Sequence, residues 1–320
     1  MRFSLFATFA CLAFTHAGSY DGLSEMWSFD LDDFQNTDWM GALADNVHLS
    51  SLSIPGTHNS MTDKVNNKLA QTQNVGLAGQ LDGGIRYIDI SCRYINGVMM
   101  VYSGLFDTGY SFENALTTLF DFLDAHPREA VILRIQKGGI LDESTEFLSS
   151  MKAHLAAGSK LGNRAAEHIY SKKDGTIIPT LGEVRGKVLI LQDFKTSPPG
   201  LYGIPWSSQT VSYYNRKLAV GRVLLPLKWK GIKSHISQSL SENDSRMRIT
   251  YATASIGAKP IDISSKNGLS FAMNRYIGRH LLIDEGDCFG VVVMDFPGYE
   301  VVKAIVKEND QYRAPSPLSP

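Results

Sequence analysis

Apolar residues recur along this chain in short runs, and helical spacings separate the runs. Residues 49–54 alternate Leu and Ile with serines, the period of a half-buried strand. Residues 86–90 and 98–102 are further strand candidates, joined across an Asn96-Gly97 turn. Phe112, Leu116, Leu119, Phe120 and Leu123 fall on one helical face, and Pro127 ends that run. Almost uninterrupted apolar runs at 130–135, 187–191 and 290–296 predict strands buried on both faces. The pattern adds a strand at 248–254 and helices at 147–155, 272–282 and 301–306. Strands alternating with helices imply a mostly parallel sheet. The number of units predicts a single domain, a distorted and closed TIM-type (β/α) barrel, rather than an open sheet. Chemistry in such barrels sits at the C-terminal ends of the strands. The polar residues there are His58, Asp89, Ser91, Arg93, Tyr102, Ser103, Arg134, Gln136, Gln192, Asp193 and Asp295.

The segments outside the barrel change the picture. Met1-Arg2, an apolar run from Phe3 to Phe14 and a small residue at Ala17 have the form of a signal peptide over 1–17. Secretion is the expectation. Residues 18–47, polar and aromatic, are expected to pack as a leader on a barrel spanning 48–310, and the Pro/Ser-rich tail 311–320 to be disordered. With 43% hydrophobic and 20% charged residues the composition is that of a globular protein. A net charge of -1 offers no field for nucleic acid. A monomer is expected. Cys92 and Cys288 remain after loss of Cys11, so at most one intrachain disulfide is possible, and strand polarity puts the two thiols at opposite ends. Asn243-Asp244-Ser245 is a glycosylation sequon. Trp206 and Trp229 are either packed loop aromatics or residues that dip into a membrane interface.

The most informative stretch is Ser53-Ile54-Pro55-Gly56-Thr57-His58-Asn59-Ser60. It carries a histidine at a strand end, the side chain most often used as general acid or base. With it stand Gln80-Leu81, Gly84-Ile85-Arg86-Tyr87-Ile88-Asp89-Ile90, Leu181-Gly182-Glu183-Val184-Arg185-Gly186-Lys187-Val188 and Val293-Met294-Asp295-Phe296. In order and spacing these stretches resemble the X-domain of phosphatidylinositol-specific phospholipase C, in its compact secreted form, over about 45–300. The resemblance implies a distorted TIM barrel that cleaves phosphatidylinositol or a related phosphodiester lipid, with transient contact to a membrane surface. It also implies that His58 is the base and Asp295 the carboxylate that orients it.

The rest of the family's set is replaced. Where the family has His-Gly after the third strand, this chain has Tyr102-Ser103-Gly104. Where compact bacterial members have an arginine, it has Ser91. Asn59 and Asp89 match positions of the calcium-dependent members, but Ser91 and Gln136 stand at the others, a poor set for a calcium ion. No cofactor or metal is therefore expected. Strand periodicity puts Arg93 on the face of Asp89, and Arg134 on the face of Gln136, so either can supply the missing cation. Asn59, Asp89, Arg93, Ser103 and Arg134 are the candidate substrate-binding residues. Two readings stand together. One is a phosphoric diester hydrolase with an incomplete catalytic set. The other is an inactive barrel that binds inositol phosphates, glycosylphosphatidylinositol head groups or a partner protein. Simpler roles remain open too: a turn histidine for His58, a capping carboxylate for Asp295, an ion pair of Asp89 with Arg86 or Arg93.

Overall fold

A computed structural model describes residues 27–139, 145–171, 177–216, 225–237, 246–254, 257–265, 272–283 and 288–315. The expected signal segment, the start of the leader, the sequon and the last five residues of the tail lie outside these.

Eight parallel strands curl into a barrel wall: β1 (Ile54–Thr57), β2 (Tyr87–Ile95), β5 (Ala130–Lys137), β6 (Lys187–Asp193), β7 (Ile204–Pro205), β8 (Val211–Tyr214), β9 (Met247–Tyr251) and β10 (Val291–Met294). Their order is β7-β6-β5-β2-β1-β10-β9-β8. Among the described residues no ladder joins β7 to β8, so the expected closure is incomplete and the barrel has a seam there. β7 has two residues and one is Pro205, which lacks the N–H that a longer ladder needs. Two further strands, β3 (Val98–Ser103) and β4 (Phe106–Ser111), extend β2 as antiparallel hairpins.

The wall carries two cores, as alternation of side chains along each strand requires. Tyr87, Ile132, Leu189, Leu191, Ile249, Tyr251 and Val293 fill the barrel. Ile88, Ile90, Leu133, Ile135, Ile190 and Val292 face outward. They meet helices that include α1 (Phe112–Ala125), α2 (Thr145–Leu155) and α3 (Met273–Ile283). A capping box starts α1: the Ser111 hydroxyl accepts from the Asn114 amide, and the Asn114 side chain accepts from that of Ser111. Beyond β10, α4 (Tyr299–Lys307) closes the outer layer.

The first strand departs from the sequence pattern. Leu49–Ser51 is a turn of 3-10 helix, and β1 begins only at Ile54, running through the Pro-Gly pair. Leu49 and Leu52 are apolar because they pack below the barrel interior, not because they belong to its wall. Gly56 is required where β1 meets β2: a Cβ there would lie 2.8 Å from two atoms of the Tyr87 side chain. β2 runs to Ile95, five residues past the expected end, so Arg93 is on a strand.

Residues 27–47 lie on the barrel and are tied to it by a buried ion pair. Arg86 and Glu129 are both fully buried, with Nη2 2.8 Å from Oε2. Arg86 also donates to the carbonyls of Thr37, Leu81 and Ile85, and Glu129 accepts from the amides of Met40 and Gly41. Arg86 is therefore not the partner of Asp89. Cys92 and Cys288 are both buried and form no disulfide; the Cys288 thiol donates to the carbonyls of Ser50 and Leu52. Trp206 is 7% exposed, and Trp229 packs against the core beside Tyr276, so both are packed aromatics. Among the described residues no helix is long and apolar enough to cross a membrane.

Removing one partner of a buried ion pair strands the other charge, at about 3–5 kcal/mol. Glu129→Ala should lower the unfolding free energy by about that amount, read from urea denaturation followed by circular dichroism.

Candidate active site

The C-terminal ends of β1 and β10 are neighbours in the sheet, and this brings His58 to Asp295. His58 Nδ1 lies 2.9 Å from Asp295 Oδ1. The carboxylate is fully buried, and its second oxygen accepts from the Ala254 amide at 2.7 Å. A carboxylate can only accept, so Nδ1 carries a proton, and the neutral form of this imidazole has its lone pair on Nε2. The backbone around the histidine is fixed from three sides. Its amide donates to Met294, and its carbonyl accepts from Thr72 Oγ1 at 2.8 Å and Gln73 Nε2 at 2.9 Å. The Tyr251 ring meets the imidazole edge-on, with centroids 6.0 Å apart.

Asp89 lies inside the wall, 2% exposed. Its Oδ1 accepts from Arg134 Nη1 at 2.9 Å, and its Oδ2 from the Tyr251 hydroxyl at 3.0 Å. Arg134 is thus the ion-pair partner of Asp89, in place of the Arg86 or Arg93 considered from the sequence. The same guanidinium reaches Asp193 Oδ2 at 2.5 Å and stacks over the Trp206 ring at 4.3 Å. Burial opposes its charge, but Asp89, with Tyr251, Tyr87 and Asp193, more than offsets that and raises its pKa above the ordinary value. Burial, with Asp89, likewise holds the Tyr251 phenol well above its usual range, so it stays a donor. Arg134 is accordingly engaged within the barrel with Asp89, Tyr251 and Asp193, and is not among the residues that line the cavity over His58.

A cavity of about 600 Å³ opens over His58. His58, Asn59, Ser91, Arg93, Ser103 and Gln136 are among the residues that line it. Asn59 adopts a left-handed conformation (φ 42°), which Asn tolerates better than most residues, and turns its side chain so that Nδ2 donates to Ser103 Oγ at 3.2 Å. Ser103 in turn donates to the Ala70 carbonyl at 3.0 Å. Both members of this pair therefore hold the loop that follows β1. Arg93 crosses the mouth over Gly138, where a Cβ would meet Ser91 Oγ at 2.7 Å and Arg93 Nε at 3.2 Å. Its Nη2 donates to the Gly104 carbonyl, its guanidinium stacks on Tyr102, and its buried Nε has no acceptor among the described residues. Arg93 is the arginine of the two that faces the cavity.

The residues fit a calcium ion badly. Both Asp89 oxygens already accept hydrogen bonds, and Ser91 and Gln136 contribute no charge. No group of three or more His, Cys, Asp or Glu residues able to hold a metal occurs among the described residues. Gln192 is turned away as well: its amide holds the loop after β6 through Phe194, Thr196 and Tyr202. The sequence reading missed Tyr251, which joins Asp89, Arg134, Tyr87 and His58. Its signal was present: it stands two residues after Ile249, at the end of a strand whose alternate residues fill the barrel.

Comparison with known proteins agrees with this geometry. The family model for the X domain of phosphatidylinositol-specific phospholipase C matches residues 49–193. A 1-phosphatidylinositol phosphodiesterase of Listeria monocytogenes is 28% identical over 283 residues, spanning 85% of this chain and 84% of that protein. The human PI-PLC X domain-containing protein 1 is 32% identical over 153 residues, 35% of this chain and 46% of that protein. The solved structure of a phosphatidylinositol-specific phospholipase C from Listeria monocytogenes superposes with a TM-score of 0.70 at 25% identity, covering 87% of this chain and 100% of that one. A Staphylococcus aureus phosphatidylinositol-specific phospholipase C, 17% identical with a TM-score of 0.68, shares the fold over 88% of this chain and 99% of its own. With a parallel barrel and a His–Asp pair at its mouth, the chain is similar to these phospholipases, and residues 49–193 match the model of their X domain.

Proposed function

We propose that this protein is a secreted phosphodiesterase acting on phosphatidylinositol-type lipids with a reduced catalytic set. The observation that carries the reading is the His58–Asp295 pair, in which a buried, backbone-anchored carboxylate orients the imidazole. Nε2 of His58 is the base that takes the proton from a hydroxyl of the head group. Arg93, at the cavity wall, neutralises the phosphoryl oxygens in place of the arginine replaced by Ser91. Asn59 and Ser103 shape the mouth, and Asp89 and Arg134 stiffen the wall beneath it. The names of the relatives support the substrate class. The charged start and apolar run at the N-terminus support export.

The mouth has an apolar rim. Leu69, Leu105 and Phe106 line the same cavity and are 59%, 78% and 40% exposed. Burying a side chain of this kind yields about 1.5–3 kcal/mol. Such a rim is suited to resting on a lipid surface while the head group enters the cavity.

Turnover of phosphatidylinositol in mixed micelles should fall below detection in His58→Ala and be unchanged by EDTA. Activity that survives in His58→Ala, or that EDTA abolishes, overturns the mechanism. Head-group binding without turnover in the unaltered protein would favour the inactive-barrel reading. Leu105→Asp should weaken sedimentation with phosphatidylcholine vesicles by about tenfold or more, the loss expected when one buried leucine is forfeited. Arg134→Gln should strand the Asp89 carboxylate and lower the unfolding free energy by about 3–5 kcal/mol, read by urea denaturation. A rise in KM with stability intact would instead make Arg134 a substrate ligand.

A further inference from the structure

The cavity over His58 offers a base for the proton of the attacking group, but among the described residues that line it none is a matched acid for the leaving group. The described residues lining it include three that titrate, His58, Arg93 and Lys137. A guanidinium does not release its proton in a protein. Lys137 pairs in register with Cys92, whose thiol is buried in the outer core, whereas the inward face is set by the neighbouring pair Ser91 and Gln136. Its side chain therefore leaves the strand on the outer side and meets the cavity only at its edge. Asp89 and Tyr251 lie beneath the mouth, 2% and 1% exposed, hydrogen-bonded to each other and to Arg134. Ser103 is a weak acid, and its hydroxyl already donates to a backbone carbonyl.

Resting on the phosphodiesterase reading above, we propose that the preferred substrates are inositol phosphodiesters whose leaving group departs as a stable anion, such as an aryl or enol oxygen. The step balances without an acid. Nε2 of His58 takes the proton of the vicinal hydroxyl, and that oxygen bonds to phosphorus. The bond from phosphorus to the leaving oxygen breaks, and its electron pair goes with the leaving group. The charge on the phosphoryl oxygens faces Arg93. The products are a cyclic phosphodiester, the leaving anion and a protonated His58, which returns its proton to solvent. With an alkoxide leaving group the same step lacks the help that general acid catalysis supplies, about 10²–10⁴ in rate.

The test compares two soluble substrates, the 4-nitrophenyl and n-butyl esters of myo-inositol 1-phosphate, with the purified protein. The aryl ester should be cleaved at least about 10²-fold faster than the butyl ester. The kcat/KM for the aryl ester should rise through one titration and then stay level to about pH 9, below the ordinary lysine range. Lys137→Gln should leave the ratio of the two rates unchanged. Comparable rates on the two esters, or a bell-shaped profile, would overturn the inference and leave the phosphodiesterase reading standing. A loss confined to the butyl ester in Lys137→Gln would overturn it by making Lys137 the acid. Failure to cleave either ester, with the fold intact by circular dichroism, would overturn both.

Discussion

A charged guanidinium inside a β-barrel must be balanced where it lies, and the site is arranged around that constraint. Arg134 projects inward from β5 because alternation puts it on the same face as Ile132. Alone there it would cost several kcal/mol. Asp89 from β2 and Asp193 from β6 flank it, and these are the two strands that pair with β5. Trp206 and Tyr251 supply ring contacts from the next layer. Tyr251 then joins this charged set to the histidine. The wall below the mouth is thus a pre-arranged set of neighbouring strand ends rather than a flexible pocket. His58 stands over a background of fixed charges, the preorganisation that the proposed activity requires.

The same arrangement explains the division of labour among the mouth residues. Those on the barrel face below the opening are engaged with one another, so they give rigidity and present few open hydrogen-bonding atoms. Those above it belong to the β2–β3–β4 extension and to the loop after β1. Arg93 is reachable there because β2 outruns the barrel, and Gly138 leaves room for its side chain. Lengthening one strand therefore changes which cation faces the cavity without altering the barrel.

Much of this was legible in the sequence where a local pattern and a tertiary role coincide. The apolar runs of β5, β6 and β10 are buried on both faces, as their nearly unbroken hydrophobicity predicts. His58 and Asp295 were findable because both stand at strand ends within matching stretches. The pattern failed where burial came from elsewhere. Leu49 and Leu52 are buried in the barrel-interior core as part of a turn, not of a strand. Two-residue β7 has too few positions to show any period. Side-chain partnership was the least legible. Asp89 has Arg86 and Arg93 nearby in the chain, yet its partner comes from β5, because parallel neighbours meet through register, not sequence distance.

The seam between β7 and β8 bears on how the wall meets other molecules. A barrel that closes has no edges, whereas this one has two, and an exposed edge is a template for adding a strand from another molecule. Each is blunted in its own way. β7 offers two residues, one of them a proline without a donor. At β8, Tyr213 tilts against Trp206, with ring centroids 4.8 Å apart, and covers the gap. The features that keep the wall unclosed therefore also leave little edge for a strand of a neighbouring copy to pair with.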